Sequence, residues 1–153
     1  MADTVDAFTR SRIMSSVRGK NTKPEMMIRK ALHARGFRYR LHSPGICGKP
    51  DLVLSRYRAA IFVHGCFWHG HDCHLFKIPS TRSEFWRAKI NRNRQRDAEV
   101  RTSVLENGWR YLIVWECALR GKKRLDFETL MDRISAWIAG NDPEDQITGE
   151  RNP

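Results

Sequence analysis

The sequence predicts one small α/β domain, with a sheet flanked by helices and a metal site at the end of a strand. Three observations predict it. The chain has 153 residues, 41% of them hydrophobic, enough for a single domain with its own core. Short apolar runs of strand length alternate with longer segments of helical periodicity. The segment His64–His74 then packs four of the six histidines and two of the four cysteines into eleven residues, directly after an apolar run. Sulfur and imidazole together are the ligand set zinc prefers.

The elements follow in order. Thr9 to Val17 reads as a short helix with a basic face (Arg10, Arg12, Arg18) and an apolar side (Ile13, Met14, Val17), broken by Gly19-Lys20-Asn21. Thr22-Lys23-Pro24-Glu25 has the form of a capping box, with Pro early in the first turn, so a helix starts there. It runs to about Arg35 and stops at Gly36. Phe37 to Leu41 alternates apolar and basic residues and reads as a half-exposed strand. His42 to Pro50, with Pro44-Gly45 and Gly48-Lys49-Pro50, is loop. Asp51 to Leu54 is a second strand, turned by Arg56-Tyr57-Arg58 into a third, Ala59 to Val63. Thr81-Arg82-Ser83-Glu84 repeats the capping-box form, opening a long basic helix to Asn107-Gly108 with one break near Asn91. Trp109 to Trp115 is a buried strand ending at Glu116-Cys117. Leu125 to Ala139 is an amphipathic helix, with Leu130, Ile134, Trp137 and Ile138 on one face. The tail from Gly140 is polar, carries two prolines and reads as disordered. The expected organisation is an N-terminal arm and helix (1–20), a central domain (21–139) and a tail (140–153).

Charge narrows the partner. Lys and Arg number 28 against 17 acids, a formal net charge of +11, which suits a polyanion. No apolar span is long enough to cross a bilayer, and no basic amphipathic helix free of core duties is evident. The first residues carry acids and no apolar run, so no signal peptide is expected and the cytoplasm is. Thiols stay reduced there, so Cys47, Cys66, Cys73 and Cys117 are read as metal ligands or core thiols rather than disulfides.

Cys66, His71 and Cys73 are close in sequence, and Cys117 can return from a distant strand to meet them. Three sulfurs and one nitrogen make a closed structural zinc site. Spacing leaves the histidine open, since His69, His71 and His74 could all reach. The competing account is a buried Cys117 thiol beside a merely polar loop. Asp51, at the mouth of a strand beside the Val63 carbonyl, suits a hard cation such as Mg²⁺, or else simply satisfies loop amides. Glu25 is accounted for by its capping box, and Asp97 by ion pairs with Arg94 and Arg101 at helical spacing. His64 and His69, if spared by zinc, are free imidazoles beside Asp51, suited to acid–base work. Phe67, Trp68 and Trp86 are aromatics in basic surroundings. Phe67-Trp68 has no apolar face to join, so an exposed pair that stacks on or wedges between bases is expected.

Pro50-Asp51, the string Phe62-Val63-His64-Gly65-Cys66-Phe67-Trp68-His69-Gly70-His71 with Cys73, Thr81 to Trp86, and Val114 to Leu119 together resemble the very short patch repair (Vsr) endonucleases. The resemblance runs from about Thr9 to about Ile138. It implies a restriction-endonuclease-like core and a Mg²⁺-dependent enzyme that nicks 5′ of the thymine in a T:G mispair left by deaminated 5-methylcytosine. By that resemblance Asp51 binds Mg²⁺ with the Val63 carbonyl, His69 activates water and Asp97 orients it. His64 and Glu25 hold metal-bound waters and the phosphate. Cys66, His71, Cys73 and Cys117 ligate Zn²⁺. Phe67, Trp68 and Trp86 wedge into the duplex, with Met14 packing from the minor groove. The usual acid and lysine of the fold's second strand are replaced here by Phe62-Val63-His64. A monomer acting on double-stranded DNA in the nucleoid, with cross-talk to mismatch-repair proteins, is expected. Two alternatives remain at this stage: a non-catalytic zinc-containing DNA-binding module, and a restriction-type nuclease of the same fold.

Overall fold

The computed structural model describes residues 21–150. The expected N-terminal helix and Met14 lie outside the described residues. Helix α1 spans Lys23–Ala34, β1 Arg40–Leu41, β2 Leu52–Leu54 and β3 Ala59–His64. Helix α2 spans Ser83–Glu106, β4 Arg110–Trp115, α3 Phe127–Ala139 and β5 Glu144–Ile147.

The five strands form one sheet in the order β1-β2-β3-β4-β5. The first three pair antiparallel, while β4 runs parallel to both β3 and β5. Side chains alternate across it, as the two-residue period of a strand requires. Leu52, Leu54, Ile61, Leu112 and Val114 face a core shared with α1 (Ile28, Leu32) and α3 (Leu130, Met131, Ile134, Trp137, Ile138). Val53, Ala60, Phe62, Tyr111, Ile113 and Trp115 face a second core, which Val104 of α2 enters from above and which ends at Cys66 and Cys117. Two helices thus cover one face and the long basic helix the other, so both faces of β3 and β4 are dry.

Thr22 caps α1 as expected, its Oγ1 accepting from the Glu25 amide at 3.4 Å. The helix closes at Arg35 and Gly36, the glycine at φ +93°. Four expectations need correction. The strand from Phe37 shrinks to two exposed residues at the sheet edge. Helix α2 does not break near Asn91 but runs unbroken for 24 residues. Its capping box does not form, because the N-cap is Arg82 in the left-handed region, with no side-chain cap bond. The tail is not disordered up to residue 150: β4 offers a free parallel edge, and β5 fills it from Glu144 to Ile147. Ile147 is fully buried there, and Arg101 of α2 pairs with Glu144.

Candidate active site

Strand β3 delivers His64, opposite Trp115 of β4, to one end of the sheet. The chain then folds back sharply, with the amides of His69 and His71 donating to the carbonyls of Gly65 and Cys66 at 3.2 and 2.9 Å. Gly70 sits at φ +62°, and a Cβ there would collide with Arg94 and Ile90 of α2. Arg94 donates to the Gly70 carbonyl and Asn93 to the Trp68 carbonyl. The loop is therefore clamped onto α2, and its histidines are held in two separate groups.

The first group is Cys66, His71, Cys73 and Cys117, all with donor atoms within 4.8 Å of one another. His71 Nδ1 is 3.6 Å from both Cys66 Sγ and Cys117 Sγ. A tetrahedral zinc with bonds of about 2.3 Å to sulfur and 2.0 Å to nitrogen separates such donors by about 3.5 Å, so the set fits the ion. The His71 ring lies flat on Trp115, 4.1 Å away at 9°, which fixes its orientation. The Cys66–Cys117 contact draws the Cys117 thiol down to about 4, helped by His71 and the Gly149 amide, and pushes Cys66 up. Gly149, just beyond β5, donates to Cys117 Sγ at 3.2 Å, so the segment after β5 closes this site. His74 is exposed and outside the group, as is Cys47.

The second group faces a cleft of about 940 Å³ lined by Asp51, Val63, His64, His69 and Asp97. His69 Nδ1 lies 2.6 Å from Asp97 Oδ2. The helical ion pairs expected for Asp97 do not form; Arg94 turns to Gly70 and Arg101 to Glu144. The His64 ring stacks on His69 at 3.7 Å and 1°. Burial, then the charge His69 carries when protonated, holds the His64 imidazole well below its ordinary value, which favours its neutral form. Its Nδ1 is buried with no hydrogen-bond partner among the described residues.

Asp51 Oδ2 accepts from the Val63 amide at 2.7 Å, so the strand pair aims the carboxylate into the cleft. Burial pushes Asp51 up to about 7, with Glu25 adding to the rise while the Val63 amide and His42 oppose it. Glu25, 1% exposed, lies behind it and binds the Asn21 amide, Arg29 and His42. A third group of donors, Glu25, His42 and Asp51, converges there within 4.8 Å. This carboxyl-rich corner suits an oxygen-seeking cation.

Phe67 and Trp68 line the same cleft, but not as the exposed pair expected. They are half-buried against Trp86, with ring centres 5.4 and 5.8 Å away, and Phe76 and Phe85 extend the cluster. The apolar face they join comes from the first turns of α2, distant in sequence. The cleft also collects cations that sequence reasoning passed over, Lys49, Arg96 and Arg120. Glu116 braces its rim, accepting from the Cys66 amide and from Arg120. No helix among the described residues is long and apolar enough to cross a membrane.

The family model for DNA mismatch endonuclease Vsr matches residues 2–75. The chain is 45% identical over 147 residues to the DNA mismatch endonuclease Vsr of Escherichia coli strain K12, covering 96% of this chain and 94% of that protein. It is 43% identical over 122 residues to the type II nicking enzyme V.NmeAIP of Neisseria meningitidis, covering 80% and 87%. It is likewise 43% identical over 119 residues to the type II nicking enzyme V.XorIIP of Xanthomonas oryzae, covering 78% and 88%.

Proposed function

The chain belongs to the DNA mismatch endonuclease Vsr family, and from that premise we propose that it nicks duplex DNA 5′ of the thymine in a T:G mispair arising from deaminated 5-methylcytosine. The observation that carries the residue-level reading is the His69–Asp97 pair at the cleft wall beside Asp51.

With Nδ1–H donating to Asp97, the His69 Nε2 carries the lone pair, the tautomer a general base needs. Asp97 fixes the ring and stabilises the imidazolium formed when His69 takes a proton from water. His64, kept neutral by burial, packs flat on His69 and restricts its rotation, and it offers a nitrogen toward a phosphate oxygen or bound water. Asp51 and the Val63 carbonyl would hold Mg²⁺. That ion, when bound, stabilises charge developing on the scissile phosphate and lowers the pKa of a water. Glu25, behind Asp51, would hold water beside that ion. Lys49, Arg96 and Arg120 attract the backbone phosphates flanking the cut.

Zinc would be held by Cys66, His71, Cys73 and Cys117. The group lies outside the cleft lining and leaves no ligand position for substrate, so its work is to fix the loop that carries His69, Phe67 and Trp68. The aromatic cluster enters the duplex where stacking is already weak, which selects the mispair. We read the five-stranded sheet as a restriction-endonuclease-like core acting as a monomer in the cytoplasm, with Met14 and the N-terminal arm reaching the minor groove. Cross-talk with mismatch-repair proteins follows from the shared lesion.

The test is an end-labelled duplex carrying one T:G pair, incubated with Mg²⁺ beside its T:A counterpart. One cut on the thymine strand, 5′ of that base, is expected, with the matched duplex intact. Equal cutting of both duplexes, or none of either, contradicts the reading.

A further inference from the structure

His42 has no part in the reaction described above, yet it lines the cleft beside Asp51. The antiparallel pairing of β1 and β2 brings it there, the His42 amide donating to the Asp51 carbonyl at 3.2 Å. Its Nε2 is 2.9 Å from Glu25 Oε2 and 3.9 Å from Asp51 Oδ1. Glu25 comes from α1, His42 from the loop after β1 and Asp51 from the residue just before β2, so three separate segments converge on one point.

These separations are on the scale of a coordination shell. Around a cation with bonds of about 2.1 Å, adjacent donors lie about 3 Å apart and opposite ones about 4.2 Å. The His42–Glu25 distance fits the first, and the His42–Asp51 distance falls between the two. Two carboxylates this close also repel one another, and Arg29 relieves only Glu25. A divalent cation relieves both.

Resting on the reading of Asp51 as the cation ligand, we infer that His42 Nε2 is a further ligand of that cation, which gives this chain a nitrogen-containing site that favours Mn²⁺ over Mg²⁺. Magnesium prefers an all-oxygen shell, whereas imidazole is a better donor to the later divalent metals, and Mn²⁺ accepts both. The chain's nicking activity is therefore supported by Mn²⁺ at lower concentrations than by Mg²⁺.

The experiment uses full-length protein with its Cys/His group kept at one equivalent of zinc, so that added Mn²⁺ reports on the cleft. Calorimetric titration with Mn²⁺ and with Mg²⁺ is run on the wild type, His42→Gln and Asp51→Asn. In His42→Gln, Mn²⁺ binding weakens at least about tenfold while Mg²⁺ binding changes less than about threefold. Pulsed electron paramagnetic resonance of Mn²⁺ on protein labelled with ¹⁵N-histidine gives a second readout that needs no variant. A directly bound nitrogen is expected in the wild type and is lost in His42→Gln. No nitrogen coupling in the wild type overturns the inference. So does a coupling that survives in His42→Gln, or an equal weakening of both metals, which would make His42 only a partner of Glu25. Undiminished Mn²⁺ binding by Asp51→Asn overturns the Asp51 site itself. Unchanged binding by His42→Gln alone leaves that site standing and removes only His42.

Discussion

His69 and Asp97, 28 residues apart, meet through a 2.6 Å hydrogen bond between Nδ1 and Oδ2. The basic residues at helical spacing from Asp97 bond elsewhere, and His69 stands apart from the cysteines that take His71. In the proposed mechanism the pair is a base and its orienting acid.

Asp97→Asn tests that pairing. An amide can donate to Nδ1 and so favour the tautomer that places the proton on Nε2, where it blocks base action. Single-turnover nicking of T:G duplex should fall by about 10²–10⁴-fold, the range seen when an orienting aspartate is neutralised. Duplex affinity and zinc content should stay as in the wild type. A rate within a few-fold of the wild type would show that Asp97 does not set the tautomer.

Cys117→Ala tests the closed site. Cys117 is buried and bonded to the Cys66, His71 and Gly149 neighbourhood. Losing one of four ligands should release the zinc and cost on the order of 4 kcal/mol, which lowers the thermal midpoint by about 10 °C in a chain of this size. Metal analysis with a thermal melt checks it. Full zinc retention with an unchanged melt would contradict the ligand assignment.

Trp68→Ala tests the wedge. Affinity for T:G duplex should drop by about 1–3 kcal/mol, with matched-duplex affinity and its salt slope nearly unchanged. Because Trp68 also packs on Phe67 and Trp86, the melt should be recorded beside the titrations. Equal losses on both duplexes would make the tryptophan a general contact.

Asp51 predicts a pH effect on stability. In the folded, metal-free chain it keeps its proton up to about 7, against an ordinary 3.8. The folded state thus binds more protons between those values, so this group makes stability fall as pH rises from about 4 to about 7, with the full cost present above 7. Asp51→Asn removes that cost. With the Cys/His group kept at one equivalent of zinc and no Mg²⁺ added, its midpoint should exceed the wild type's by about 5 °C at pH 8 and converge with it near pH 4. A difference that does not change with pH would contradict a proton-linked origin.

Much of this was legible in sequence because its signals are local. The Thr22 cap, the strand lengths and the density of His and Cys after β3 all depend on neighbouring residues. What was missed depends on tertiary pairing. The sequence from Gly140 has the composition of a loose tail, and only the open edge of β4 makes residues 144–147 a strand. His42 stands in a loop marked by Pro and Gly, and only the β1–β2 pairing carries it to Asp51. Thr81 looks like a cap, but Arg82 takes a left-handed backbone and the helix begins past it. Phe67 and Trp68 lack an apolar neighbour in the local sequence because that neighbour, Trp86, arrives on another element.

The most direct test of the account is the single-turnover rate at which Asp51→Asn nicks a bound T:G duplex in Mg²⁺. The β2–β3 pair points the Asp51 carboxylate into the cleft and bonds it to the Val63 amide. The account predicts a rate at least about 10³-fold below the wild type, since the substitution removes the charge that would hold the ion. Mismatch affinity and zinc content should be unchanged. Nicking within about tenfold of the wild-type rate, on duplex shown to be bound, would contradict it.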